Sequence, residues 1–138
     1  MLPERPLEVE LVLPVKTYDI DFAGIVSNIV YIRWLEDLRL KMLEQYLPLD
    51  QQIKADISPI LMQTQIQYRK AVTLLDAPVG RMWMSDLSRM KWWVTAEIAV
   101  NGVVAATAEQ YGCFIQLSTT RPIRIPAELL KHYHTLRR

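Results

Sequence analysis

A five-stranded antiparallel sheet wrapped around one long helix and followed by a short C-terminal helix, an α+β domain, is the fold class this sequence predicts. Three observations lead to it. Apolar residues alternate with polar ones over residues 8–18, then recur at helical spacing from Tyr31 to Tyr46. Four more strand-like runs follow, and two of them are joined by Asn101-Gly102, a two-residue hairpin signal. Strands joined this closely pair antiparallel, and a lone long helix buries its apolar stripe on such a sheet. With 138 residues and 51% hydrophobic side chains, residues 1–138 read as a single domain able to build a core.

Each element has its own signal. In the first strand, Val9, Leu11, Leu13 and Val15 share one face, and Pro14 marks a sheet edge or a bulge. The helix begins at Ser27 or Asn28, either of which has a side chain able to accept from amides of the first turn. Tyr31, Ile32, Leu35, Leu38, Met42, Leu43 and Tyr46 form its stripe, and Pro48 ends it. Residues 50–56 read as a polar connector, and residues 59–70 as the second strand. The third strand covers residues 79–85 and the fourth residues 88–100. The fifth runs from Val103 to Leu117 and is apolar enough on both faces to be central. A two-residue turn at Asn101-Gly102 sets Val94 opposite Glu109, which puts a carboxylate on the apolar face. Either a bulge shifts the register or Glu109 reaches a polar rim. Residues 126–137 form the terminal helix.

Composition narrows the function. A formal charge of +1 provides no basic field for nucleic acid. No apolar run reaches membrane-spanning length. Met1-Leu2-Pro3-Glu4-Arg5-Pro6 has no basic stretch leading into an apolar one, so no secretory signal is read there. Cys113 is the single cysteine and reads as a buried core thiol in a reducing, cytoplasmic setting. His132 and His134, two apart on a helix, face different ways and read as surface residues; no metal site is expected.

One segment stands out: Tyr18-Asp19-Ile20-Asp21-Phe22-Ala23-Gly24-Ile25-Val26-Ser27-Asn28. Two carboxylates precede a glycine-containing loop that leads straight into the long helix. Asp21 reads either as a loop acid bonding local amides or as a reactive group beside an electropositive helix start. Asp19 either shares that site or orients the loop. Gly24 lets the loop turn, lets a substrate approach the backbone, or does both.

This run, continued by Tyr31-Ile32-Arg33-Trp34-Leu35-Glu36-Asp37-Leu38-Arg39, resembles the signature of hotdog-fold acyl-CoA thioesterases of the 4-hydroxybenzoyl-CoA thioesterase family. Ile66-Gln67-Tyr68 with Asp76 resembles that family's second strand and turn, and residues 121–126 its exit from the last strand. The chain has Ala71-Val72 where the family often has Pro-Ala, and Asn28 where a tyrosine or histidine is common. The resemblance implies a hotdog fold. It also implies a homodimer joined edge to edge, often pairing into tetramers, with active sites at the subunit interface. It makes Asp21 the catalytic carboxylate and an acyl-CoA or acyl-carrier-protein thioester the substrate, with no separate cofactor.

Thioester hydrolysis needs a carboxylate to activate water or attack the carbonyl, and donors for the developing oxyanion. Asp21 fills the first role, and the amides of Val26, Ser27 and Asn28 at the helix start fill the second. Arg69, Lys70, Arg89 and Lys91 flank strand ends and are candidates for the phosphates of CoA. Trp83, Trp92 and Trp93 read as core or interface residues, with one of them able to line an acyl pocket, and Glu36 with Arg39 as a surface or interface pair. Two rival readings share the scaffold: a non-catalytic module that binds acyl thioesters, and a hydratase. A hydratase generally uses a histidine with an acid near the central helix, and here both histidines lie in the C-terminal tail.

Overall fold

The computed structural model describes residues 5–136; the first four residues of the stretch read for a secretory signal, and Arg137 of the expected terminal helix, lie outside them. The alternation that begins at Val9 forms only a four-residue strand, β1 (Val9–Val12). A short 3-10 turn (Thr17–Asp19) then carries the chain to the acidic loop. The long helix is α1 (Asn28–Tyr46), about five turns at 3.6 residues each. Ser27 stands at its N-cap in extended conformation and makes no side-chain capping bond. The expected cap is therefore absent, and the Ser27 N–H donates instead to the Asp19 carbonyl at 2.9 Å.

Residues 50–56 are not plain connector. They contain most of α2 (Leu49–Lys54), with Pro48 just ahead, Asp50 in the first turn and Lys54 in the last. That order suits the helix dipole. Gln52 is buried and donates from Nε2 to the Leu47 carbonyl at 2.8 Å, pinning α2 to the end of α1. The remaining elements are β2 (Ile57–Tyr68), β3 (Val79–Leu87), β4 (Trp92–Val100), β5 (Val103–Gln116), a two-residue β6 (Pro122–Ile123) and α3 (Ala127–Leu136). The sheet thus has a sixth, short strand beyond the five expected. Its order is β1-β3-β4-β5-β2, with β6 also on β5 and every pairing antiparallel. Among the described residues, neither edge strand, β1 or β2, has a second strand paired along its outer side.

Asn101 and Gly102 have φ of 51° and 78°, as a two-residue hairpin turn requires. The register question raised by Glu109 resolves through a bulge. Ala99 faces Val104, but Ile98 faces Ala106, so Ala105 is the extra residue. Beyond it, Val94 pairs with Gln110 and the exposed Glu109 pairs with Thr95. The same alternation turns Phe114 inward and Cys113 outward. Cys113 is accordingly half-buried rather than a core thiol.

Leu35, Leu38 and Met42 of α1 pack on Met82, Met84, Val94 and Phe114 of the sheet, with Leu129 and Tyr133 of α3 closing one end. Val26, Val30, Tyr31 and Trp34 pack with Val72, Ile98 and Ala106 around the start of the helix. Each such side chain contributes about 1.5–3 kcal/mol of transfer energy, so both ends of α1 are fixed against the sheet. No helix among the described residues is long and apolar enough to cross a membrane.

Candidate functional site

The acidic loop is a miniature hairpin. Ile20 bridges Val26, the Asp21 N–H donates to the Ile25 carbonyl at 2.9 Å, and the Gly24 N–H donates to the Asp21 carbonyl at 3.0 Å. Gly24 sits at φ +81°, where other residues are strained, and a Cβ there would meet open space. The turn requires the glycine, and its outer side is unobstructed. Asp21 is exposed, and its Oδ1 accepts from the Ala23 N–H at 2.9 Å. Among the described residues no donor bonds Oδ2. One oxygen of the carboxylate therefore shapes the loop while the other faces outward.

The loop feeds directly into α1, but its amides are not equally available. The Val26 N–H donates to the Val72 carbonyl at 2.8 Å, and the Ser27 N–H to that of Asp19. An amide has one hydrogen, so these two expected oxyanion donors are already committed. Asn28 and Ile29, both exposed, have no backbone acceptor for their N–H groups among the described residues. They carry the positive end of the α1 dipole. Ile29 was not foreseen from the sequence; its place in the first turn was the available signal.

Asp19 has a different environment from Asp21. It is 2% exposed, accepts from the Lys16 N–H at 2.9 Å and pairs with Arg33 Nη2 at 2.6 Å. With its carbonyl holding Ser27, it ties the loop to the helix start and to the second turn of α1. Asp19→Ala is expected to cost about 1–3 kcal/mol, the range for a lost buried acceptor. Urea unfolding measures this, and an unchanged midpoint would show that the tether contributes nothing.

The four basic residues do not form one cluster within a chain. Arg69 and Lys70 follow Tyr68, and both N–H groups bond the bulged Ala105 carbonyl, at 2.8 and 3.0 Å. They lie just before Val72 and Thr73, which bond and bridge the acidic loop. Arg89 and Lys91 sit in the β3–β4 connection beside Trp92, which pairs with Gly112, whereas Tyr68 pairs with Ala106. Six residues of β5 separate the two pairs, about 20 Å at the strand rise. Lys91 instead lies 5.3 Å over the Tyr111 ring. Large apolar side chains surround the acidic loop, with Tyr18, Phe22, Ile29 and Leu75 largely exposed.

A second feature lies farther along α1. A cleft of about 360 Å³ opens between the second half of α1, α2 and the start of β2, floored by Met84, Trp92, Val94 and Phe114. Trp92 is the tryptophan that lines a pocket, while Trp83 and Trp93 are half-buried, with the Arg5 guanidinium 4.0 Å above Trp83. Glu36 and Arg39 also line the cleft. Arg39 is not a surface residue: it donates to Gln110 Oε1 at 2.7 Å and pairs with Glu36, and burial pulls its pKa down while Glu36 opposes that shift. Gln110, 2% exposed, donates from Nε2 to Thr64 Oγ1 at 2.9 Å, joining α1, β5 and β2. Sequence reading missed Gln110, because only the bulge turns it inward. Gln110→Leu leaves Arg39 and Thr64 short of a partner and is expected to cost about 1–3 kcal/mol; wild-type stability in urea would contradict the linkage.

His132 is half-exposed, 3.5 Å from Glu128 and edge-on to Tyr46, and His134 is exposed. Among the described residues no group of three or more His, Cys, Asp or Glu side chains is placed to hold a metal ion.

A family model described as the thioesterase-like superfamily matches residues 15–132. Solved structures share the fold at low identity. One from Jannaschia sp., described as of the thioesterase superfamily, is 14% identical with a TM-score of 0.87, covering 99% of this chain and 97% of that one. A Staphylococcus aureus protein in complex with CoA is 13% identical with a TM-score of 0.86, covering 99% and 87%. A DHNA-CoA thioesterase, also from Staphylococcus aureus, is 20% identical with a TM-score of 0.81, covering 93% and 88%. Comparison with curated proteins gives no match.

Proposed function

The chain belongs to the thioesterase-like superfamily, and from that premise we propose that it hydrolyses an acyl-CoA or acyl-carrier-protein thioester with the Asp21 carboxylate and the amides at the start of α1. The observation that supports this most is the pairing of an outward-facing Asp21 Oδ2 with the uncommitted N–H groups of Asn28 and Ile29, at the two ends of one tight loop. Oδ2 activates water or attacks the carbonyl carbon itself. The oxyanion that forms is held by the helix amides, of which Val26 and Ser27 supply orientation rather than donors. The thiolate then leaves without needing a dedicated acid, and where Oδ2 was the nucleophile, water hydrolyses the resulting acyl–Asp21 anhydride to release the acid and restore the carboxylate. The CoA bound to the Staphylococcus aureus structure supports a CoA thioester as partner. Arg69 and Lys70, next to the loop, are the residues proposed for its phosphates.

The active unit is proposed to be a homodimer formed along the open edge of β2, where Ile60, Leu61 and Met62 are exposed, with pairing into tetramers as a further step. A second copy would also cover Tyr18, Phe22 and Leu75 beside Asp21. The proposal requires no cofactor and no metal, and places the enzyme in a reducing, cytoplasmic setting compatible with the lone Cys113. The test is free-thiol release from a panel of acyl-CoA and acyl-carrier-protein thioesters. Release at turnover well above the buffer rate is expected. Tight binding with no thiol would leave the non-catalytic module as the correct reading.

A further inference from the structure

The geometry points to the cleft under the second half of α1 as the pocket for a neutral aliphatic acyl chain of about a dozen carbons or more, reached along an apolar stripe that starts at the helix tip. This deepens the hydrolase reading and rests on it.

Size is the first argument. A dry cavity of about 150 Å³ is filled by benzene. The cleft offers about 360 Å³, more than twice that, so a single aromatic ring would leave it mostly empty.

Distance is the second. Ile29, Ile32 and Leu40 lie on one face of α1 and are exposed, at 73%, 44% and 57%; Glu36 stands between Ile32 and Leu40 on that face, with its carboxylate paired to Arg39. Ile29 is next to the open amide of Asn28, and Leu40 lines the cleft. The eleven helical steps from Ile29 to Leu40 span about 16 Å. An extended chain advances about 1.2 Å per bond, judged from the three backbone bonds of a residue. Roughly a dozen bonds therefore carry a chain from a thioester held at the helix tip to the cleft. Short acyl groups stop on the stripe.

Charge is the third. Where the stripe meets the cleft, Glu36 is paired with Arg39, whose guanidinium also bonds Gln110. The lining carries Glu36 and Glu44 against that one guanidinium. A terminal carboxylate would have to displace Glu36 from Arg39 and face Glu44 as well, so the chain's far end is uncharged.

The test is kcat/KM for free-thiol release across straight-chain acyl-CoAs from C4 to C16, with benzoyl-CoA and a C14 chain ending in a carboxylate. Each CH2 that enters the cleft is worth about fourfold, so the profile should rise steeply beyond C12, with C14 exceeding C6 by about tenfold and C16 exceeding it by at least about a hundredfold. The carboxylate-ended chain should fall about tenfold or more below plain C14. Leu43→Trp, which fills the cleft, and Leu40→Glu, an exposed change that puts a charge on the route, should each cut the C16/C6 ratio about tenfold or more.

An optimum at C4–C6 or at benzoyl-CoA overturns the inference. A ratio unchanged in Leu40→Glu also overturns it, and a change in sedimenting mass with that ratio intact would assign the stripe to contact between copies. If no thioester releases thiol, the hydrolase reading fails separately. Displacement of a fluorescent C16 fatty acid then decides the pocket: binding by the wild type that Leu40→Glu abolishes keeps it, and binding that is absent or unaffected rejects it.

Discussion

Asp21→Asn is expected to keep the fold and lose about 10²–10⁴ of kcat/KM on the best thioester, the usual scale for removing a positioned acid or base. The geometry makes this substitution informative. Asp21 Oδ1 accepts the Ala23 N–H, and an asparagine carbonyl oxygen in the same place can also accept it. The loop, the Gly24 turn and the bridge between Ile20 and Val26 should all persist, with a melting temperature close to that of the wild type. What disappears is the negative charge and the second oxygen, the one that faces outward. If Asp21 served only to shape its own loop, the asparagine variant would turn over normally. Full activity in that variant, measured as thiol release under saturating and limiting substrate, would refute the catalytic role and leave the scaffold without an assigned acid.

The largest loss of stability is expected at Gly112. A Cβ there would lie 1.9 Å from the Ile60 carbonyl oxygen and 2.5 Å from Trp92 Cζ2. The first obstacle is backbone of β2, which cannot rotate aside as a side chain would. The second is the ring that floors the cleft and donates from Nε1 to the Cys113 carbonyl at 3.0 Å. Overpacking a core usually costs 1–3 kcal/mol, and a backbone clash exceeds that, so Gly112→Ala should cost about 3 kcal/mol or more. In a domain this size that is a fall in melting temperature of roughly 10 °C or more. Thermal unfolding followed by circular dichroism gives the answer, and a shift under about 2 °C would mean that β2 and β5 are free to separate locally.

How much the sequence reveals follows from which forces are local. The helix from Asn28 to Tyr46 was legible because a stripe and a terminating proline are local signals. The Asn101-Gly102 hairpin was legible for the same reason. The bulge at Ala105 was only half legible. The sequence raised the conflict at Glu109, but nothing near Ala105 announces an extra residue, because the bulge is fixed by pairing across strands. α2 was hidden by its length, since six residues show no clear periodicity, and its anchor is the long-range burial of Gln52. At the site, Asp21 and the helix start could be placed from spacing. The commitment of the Val26 and Ser27 amides to Val72 and Asp19 could not, since both bonds depend on how loops cross in space. The cleft also depends on packing between elements far apart in the chain.

The single inserted residue at Ala105 sets the parity of everything after it on β5. Had the strand run without it, position 109 would point inward and position 110 outward, and the ceiling above Arg39 would hold a carboxylate instead of an amide. The charge facing the Arg39 guanidinium is thus decided several residues away from it, by a count of odd or even.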